Sequence, residues 1–408
     1  MLGERIRKLR KQKKLTLEAL AGTELTKGML SLIENNKANP SMESLTYIAQ
    51  QLGVDMADLL EEVSSEELRS VLEQAEKIHN TMLTDLPDKS RQLIELIAPF
   101  IDKLTQSFES ARLMEIYSYA LHREEKPGWH QGLKTASDIF DLMNISSNRT
   151  TIGIFLSNIP FFEHDYRKAL EIFTTERKEI ETNHPYIEPL ARLDLDYHEA
   201  ILLFAVGEYE AAVEAMEKAL AFSKEKRIFY RIDDLYRLAA AHAFMEGYKR
   251  KKDYYLKKLK QYGEFADHES SIYFYKLFQI IDLISEKKEY KKALVQIESF
   301  LTDPERMKDY DTWFNLEKGK ALYYLGRYDE ALQAIEKVGS IDNHHPIDLT
   351  NHYIKDTFKA LILKELGRHE EAITSAETAV RNLAPMPDSL LKQFSLEALG
   401  KVRGDRSM

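Results

Sequence analysis

Residues 2 to 60 read LGERIRKLRKQKKLTLEALAGTELTKGMLSLIENNKANPSMESLTYIAQQLGVDMADLL, five short amphipathic segments separated by polar turns. The first is expected from Leu2 to Lys13, with Ile6 and Leu9 inward and Arg5, Lys8, Arg10, Lys11, Lys13 and Lys14 mostly outward. Thr16 precedes LEALA as an N-cap, offering its hydroxyl oxygen to the free N–H groups of a second helix. Gly22 to Leu25 turns the chain, and Thr26 caps a third helix from Lys27 to about Asn35. That helix buries Leu30 and Ile33 and leaves Lys27, Gly28, Ser31 and Leu32 facing away. Asn39-Pro40-Ser41 breaks the chain, and Ser41 caps a fourth helix carrying Leu45, Ile48, Ala49 and Leu52. Gly53 ends it, and Asp55 caps a short fifth helix ending at Leu60. Helices this short are marginal alone, so the five must share one small core.

The whole chain has 408 residues, more than one core comfortably holds, so two or more domains are expected. A hydrophobic share of 44% and a charged share of 30% are ordinary for a soluble globular protein. The longest apolar run, Ala200 to Val206, is far too short to span a bilayer, and the charged N-terminus lacks a signal-peptide core. A cytoplasmic protein is expected. Zero cysteines exclude disulfides, thiolate zinc sites and cysteine nucleophiles. Net charge is −10, yet residues 1 to 40 hold nine Lys/Arg against four Glu, +5, leaving −15 on the rest. A solvated basic helix face would explain that asymmetry alone. Combined with an outward helix N-terminus, it implies a head that docks in a DNA major groove while the acidic body is repelled from the phosphates.

The stretches GERIRKLRKQKKLT, LEALA, LTKGMLSLIENNKANPS and LTYIAQQLGVDMADLL resemble the lambda-repressor-like helix-turn-helix domain of the XRE family, over nearly all of residues 2 to 60. Two departures stand out. The turn between Ala21 and Leu25 is one residue shorter than usual, and Leu17 stands where many members carry a backbone-gripping Gln. The resemblance implies base-edge contacts from Thr26, Lys27, Gly28, Ser31 and Leu32, and phosphate contacts from Lys14, Thr16, Asn35 and Lys37. Lys27 can donate to guanine O6 and N7, Ser31 is a permissive partner, and Leu32 can meet a thymine methyl.

Beyond the head, Ser64-Ser65-Glu66-Glu67 reads as a cap opening a linker helix through Val71, Leu72, Ala75 and Ile78. Leu86-Pro87-Asp88 opens another helix carrying Leu93, Ile94, Ile97, Phe100, Ile101 and Leu104. An internal repeat then recurs: HDYRKALEIF, GEYEAAVEAMEKAL, KEYKKALVQI, GRYDEALQAIEKV and GRHEEAITSAETAV, with a degenerate copy GYKRKKDYYLKKL. Each regular copy has a turn, an aromatic residue and, three positions on, Ala169, Ala212, Ala293, Ala331 or Ala372; in the degenerate copy Lys251 falls there. The small residue lets two antiparallel helices approach closely. GEYEAAVEAMEKAL and GRYDEALQAIEKV resemble the tetratricopeptide repeat, the other copies more loosely, at a period near 40 residues.

The fold expected is therefore all-α: a five-helix lambda-repressor-like DNA-binding domain (1–62), a linker helix (63–84) and a right-handed tetratricopeptide-like superhelix (85–400). Helical register places Asn158, Asp194, Tyr197, Asp233, Tyr236, Arg237, Tyr275, Gln279, Asp282, Trp313, Lys320 and Tyr323 toward its groove, side chains suited to an extended peptide. No glycine-rich phosphate loop and no HExxH is present, so neither an enzyme, a cofactor nor a metal is expected. His344-His345 is expected in an exposed polar loop, and Asp233-Asp234 and the run Lys249 to Lys252 on solvated helix surface. The order of parts, the length and the long repeat resemble the RNPP group of peptide-responsive regulators. That resemblance implies a cytoplasmic homodimer on a palindromic operator, with a short signalling peptide in the groove altering dimer geometry. A protein-docking scaffold, or a constitutive regulator using the repeats only to dimerise, are the alternatives.

Overall fold

The computed structural model describes residues 2–56, 59, 63 and 65–404, and every regular element among them is helical. The chain divides into two compact units, Met1–Ile152 with Asn183–Pro185, and Gly153–Thr182 with Tyr186–Met408.

The first unit begins with α1 (Leu2–Gln12), α2 (Leu17–Ala21), α3 (Lys27–Glu34) and α4 (Met42–Leu52). Each of the last three starts on its expected cap: Thr16 accepts from the Ala19 N–H at 3.0 Å, Thr26 from Met29 at 3.1 Å and Ser41 from Ser44 at 3.2 Å. Gly53, left-handed at φ 57°, closes α4. Ile6, Leu20, Leu30, Ile33, Ile48, Leu52 and Leu59 form one core. Gly3 is where α1 meets the end of α3: a Cβ there would lie 2.0 Å from the Ile33 carbonyl oxygen, while its N–H donates to Asn36 Oδ1 at 2.9 Å. Arg10 departs from the expected outward face. Its Nε and Nη2 fork onto Glu34 at 2.6 and 2.9 Å, and its Nη1 donates to the Leu15 carbonyl at 2.9 Å. Arg5 likewise turns in, donating to the Leu59 carbonyl at 2.8 Å. The expected fifth helix falls largely on residues outside the described ones, as does the expected cap Ser64.

Next come α5 (Ser65–Asn80), α6 (Lys89–Ile97), a 3-10 turn (Ala98–Lys103), α7 (Phe108–Arg123) and α8 (Trp129–Leu142), followed by α9 (Ser146–Phe162), which crosses into the second unit. Leu68, Val71, Ala75, Leu93, Ile97, Leu113 and Ile116 make α5, α6 and α7 one packed body. The single helix expected from Leu86 through Leu104 instead tightens after Ile97. Pro99 has no N–H for the Glu95 carbonyl, so the α-helical ladder stops there.

The second unit holds α10 (Tyr166–Asn183), α11 (Pro189–Val206), α12 (Tyr209–Lys226), α13 (Ile232–Met245), α14 (Lys249–Phe265), α15 (Glu269–Ser285), α16 (Tyr290–Thr302), α17 (Asp311–Tyr324), α18 (Tyr328–Glu336), α19 (Pro346–Glu365), α20 (His369–Leu383) and α21 (Leu390–Arg403). Consecutive helices pair through a common turn. Two residues before the second helix of each pair stands a left-handed residue: His164, Gly207, Gly247, Lys288, Gly326 or Gly367. Three residues into that helix, Ala169, Ala212, Ala293, Ala331 and Ala372 are all fully buried. Counted from its own left-handed Gly247, the degenerate copy puts Lys252, not Lys251, at this position. Lys252 is 1% exposed, which overturns the solvated reading at that position, while Lys249, Arg250 and Lys251 are exposed as expected. Its ammonium bonds Asp282 at 2.5 Å and Glu286 at 2.6 Å. Burial opposes the charge there, and the two carboxylates outweigh it, raising the lysine pKa. No helix among the described residues is long and apolar enough to cross a membrane.

Candidate functional sites

The outer side of α3 is shaped by what its inner side must bury. Leu30 and Ile33 face the core, so Lys27, Gly28, Met29 and Leu32 are exposed and Ser31 is half-buried. Thr26 spends its oxygen on the cap, which aims the first N–H groups of α3 outward. Lys27 Nζ sits 2.6 Å from Glu18 Oε1 with both side chains mostly solvated, a pair worth little and easily exchanged. At Gly28 an added Cβ would meet only Thr26 Oγ1, at 4.0 Å, so the domain's own packing does not require glycine there. Met29 and Leu32, 46% and 45% exposed, form an apolar pair at i,i+3. The sequence reading named Leu32 and missed Met29, although the same spacing carried the signal. Asn35 Nδ2 bonds back to the Ser31 carbonyl at 2.7 Å, and Lys37 follows exposed at the helix exit. Thr16 is exposed beside its cap bond, and Lys14 is exposed at φ 55°. Leu17 packs against the core and has no polar group to offer in place of the family's Gln.

In the second unit, α11, α13, α15, α17 and the start of α19 surround a cavity of about 490 Å³. Its walls are largely aromatic and aliphatic: Ile201, Leu238, Phe244, Phe274, Phe278 and Ile281. Of the expected groove residues, Tyr197, Arg237, Trp313 and Lys320 meet here. Arg237 lies 5.5 Å over the Phe274 ring and donates from Nη2 to Ser270 Oγ at 2.7 Å, while its buried Nε has no hydrogen-bond partner among the described residues. Lys320 Nζ is 2.6 Å from Glu317. Asp234, expected on solvated surface, lines the cavity too; burial and then Asp233 raise its pKa against the opposing Arg231 hydrogen bond. Burial likewise raises the Tyr197 phenol.

The remaining expected groove residues lie elsewhere. Tyr236 is 6% exposed, inside the core between α13 and its neighbours, because Asp234, Arg237 and Leu238 occupy the cavity-facing side of that helix. Tyr275, Gln279 and Asp282 are on the reverse side of α15 from Phe274, Phe278 and Ile281. Gln279 Nε2 donates to the Tyr275 hydroxyl at 3.0 Å. Asp194 accepts from Tyr230 and from Arg231 Nε, each at 2.9 Å. Asp233 stands 3.6 Å from His268 Nδ1. Asn158 and Tyr323 are half-buried and do not line the cavity, Tyr323 packing on Phe358.

The segment Asp342 to His345 is a loop, exposed at Asp342 and Asn343 as its polarity implies but half-buried at His344 and His345. It forms part of the cavity wall, and the Tyr166 hydroxyl donates to the His344 carbonyl at 2.9 Å. His345 caps α19, its Nδ1 accepting from the Ile347 N–H at 3.2 Å while Nε2 reaches the Ile201 carbonyl at 3.1 Å. One ring nitrogen accepting and the other donating defines a neutral imidazole, and burial lowers its pKa. These contacts join residues 144 and 178 positions apart, and no local sequence signal carries them.

Residues 3–65 match a family model described as a helix-turn-helix domain. Over 63 residues the chain is 40% identical to DdrOP3, an HTH-type transcriptional regulator of Deinococcus deserti. That match takes in 15% of this chain, and the chain spans about half (49%) of the curated relative's length. Among solved structures, NprR with its cognate peptide is 15% identical, covering 84% of each chain at a TM-score of 0.47. PlcR of Bacillus thuringiensis, in complex with a peptide and DNA, is 21% identical, covering 72% of this chain and 98% of that one at a TM-score of 0.33. The capped helices, the shared core around Leu30 and Ile33 and the family match agree: residues 3–65 of this chain are a helix-turn-helix domain.

Proposed function

We propose that the chain is a sequence-specific DNA-binding transcriptional regulator that acts by binding rather than by catalysis. The observation that carries this reading is the outer side of α3, where a capped N-terminus, Lys27, Gly28, Met29 and Leu32 stand free of the core. The regulator from Deinococcus deserti, matched across the same segment, supports it. In this reading Lys27, Ser31 and Leu32 meet base edges, and Thr16, Asn35 and Lys37 sit along the phosphates. The protein works in the cytoplasm as a homodimer on a palindromic operator.

The cavity among α11, α13, α15, α17 and α19 takes a short peptide, with apolar side chains on Phe244, Phe274 and Trp313 and polar groups on Arg237 and Lys320. A peptide can change DNA binding only by favouring one of two states of the dimer, so its affinity must differ between them. A shift assay on an operator selected from random duplexes tests the head: Lys27→Ala with Ser31→Ala should lose about 5- to 100-fold in affinity, the worth of one good base contact. Unchanged binding removes α3 as the reader. Titration with a short-peptide library, with and without Arg237→Ala, tests the cavity. Peptide binding indifferent to Arg237 moves the ligand elsewhere, and no binding leaves a regulator with no peptide input.

A further inference from the structure

The reverse side of α15 forms the floor of a second cleft, of about 450 Å³, walled by α14 and the start of α16. It lies in the one strongly basic stretch of an acidic body: residues 249 to 292 hold twelve Lys/Arg against seven Asp/Glu, in a chain of net charge −10. Three of these cations are neutralised outside the cleft. Lys249 pairs with Glu286, Lys251 with Glu217, and Lys252 with Asp282 and Glu286. The cleft keeps part of its charge. Lys257, Lys260, Lys287 and Lys292 line it. Lys260 and Lys292 have a carboxylate one turn away, Glu264 and Glu289. The side chains of Lys257 and Lys287 make neither an ion pair nor a hydrogen bond among the described residues. Against them stand Asp282, already engaged by Lys252, and Asp253.

We propose that this cleft binds a small polyanion carrying two or more phosphate groups. Four lysines converging from α14, α16 and the turn between α15 and α16 supply point charges with rotatable donors, which suits a tetrahedral multivalent anion. A planar carboxylate is better matched by the fork of an arginine, and no arginine lines the cleft. The floor offers Tyr275 and Gln279 and the α16 wall Gln296, a hydroxyl and two amides that supply both donors and acceptors for the rest of a phosphorylated ligand. The volume suits a small molecule. The opposite side of α15 lines the aromatic cavity, so a ligand here bears on the helix that both sites share.

Isothermal titration of the full chain with inorganic pyrophosphate, a nucleoside triphosphate and citrate tests this without DNA or peptide, and so stands apart from the regulatory reading. Both phosphate ligands should bind, more weakly as salt rises, and citrate should not. Stronger binding of the triphosphate than of pyrophosphate assigns the floor residues to its nucleoside. The double variant Lys257→Ala with Lys287→Ala should weaken pyrophosphate at least about tenfold, as expected for removing two near charges. Lys168→Ala, an exposed lysine on α10, should leave it unchanged, and both variants should melt as the parent does. The proposal is overturned by no phosphate binding at millimolar concentration, by citrate matching pyrophosphate, or by equal binding to the double variant.

Discussion

The head and the repeat body each hold a cation against carboxylates, Arg10 and Lys252, and they do so differently. In the head, Arg10 of α1 forks onto Glu34 at the end of α3, and the two side chains are 12% and 4% exposed. A third donor satisfies the Leu15 carbonyl, so little of the pair is left to water. In the body, Lys252 is more deeply buried than Arg10, yet its acids are not: Asp282 is 17% and Glu286 31% exposed. The planar guanidinium fixes a geometry between two elements, whereas the ammonium neutralises acids that water also reaches. The head's clasp ties α1 to the end of α3, and its loss leaves Glu34, 4% exposed, without its partner. The body's pair tolerates rearrangement.

The sharpest way to break that contrast is Arg10→Ala. It should cost about 3 to 5 kcal/mol in the head, because Glu34 is left buried and unpaired. Both tryptophans, Trp129 and Trp313, lie outside residues 2 to 60, so amide exchange at Leu30 and Ile33 is the measurement to follow. Arg10→Lys keeps the charge but loses the fork and should fall between. Full protection of α3 in the alanine variant would show that the clasp does not position it.

Acid should act first on the body. His198 is buried against Phe173 and bonded to Ser157 at 2.8 Å, and burial, then Arg231, push its pKa down to about 4. An unfolded histidine titrates near 6.5. The folded state therefore binds the proton less readily, and the stability is fully present above about pH 6.5 and lost as pH falls toward 4. Two and a half units correspond to about 3 kcal/mol. The depressed His164, His242, His345 and His352 act in the same direction. Urea midpoints of the parent and His198→Gln, taken from pH 7.5 to 4.5, should converge as the pH drops. Parallel curves would remove His198 as a source of the acid sensitivity.

Lys252→Ala is the corresponding break in the body, and it substitutes the residue that the regular copies carry. It should cost about 1.5 to 3 kcal/mol, the worth of hydrogen bonds to a charged group, and less than Arg10→Ala because Asp282 and Glu286 can rehydrate. Adding Asp282→Asn and Glu286→Gln should recover most of the loss in the urea midpoint. Failure to recover would mean that the lysine stem, filling the place of an alanine, matters more than its charge.

The same contrast explains what could be read in advance. The head was legible because its caps act across three residues, Thr16 to Ala19, Thr26 to Met29 and Ser41 to Ser44, and Leu30 and Ile33 mark one side of α3. The Arg10–Glu34 clasp spans 24 positions and leaves no periodic trace. In the body, recurring glycine turns and alanines exposed the repeat. The aromatic anchor misled at Tyr248, because the left-handed Gly247, not the aromatic ring, sets where α14 begins. A one-residue step turns a helix by about 100°, which separates Tyr275 and Gln279 from Phe274 and Phe278 on α15. Only packing against α14, α16 and α17 decides which side faces the cavity.

The smallest expected effect probes whether Thr26 is a cap, a contact or both. Its hydroxyl oxygen holds the Met29 N–H, so Thr26→Ala should cost about 1 kcal/mol in the head, the usual worth of an N-cap. Operator affinity would fall as well, but α3 would also fray at its N-terminal end, so alanine alone cannot separate the roles. Thr26→Ser does. Serine keeps the cap oxygen and removes only the methyl, so amide exchange at Met29 should match the parent. If Thr26 acts only as a cap, operator affinity should match too. If its methyl touches a base edge, affinity drops while exchange is unchanged, and Thr26 joins Leu32 as an apolar reader.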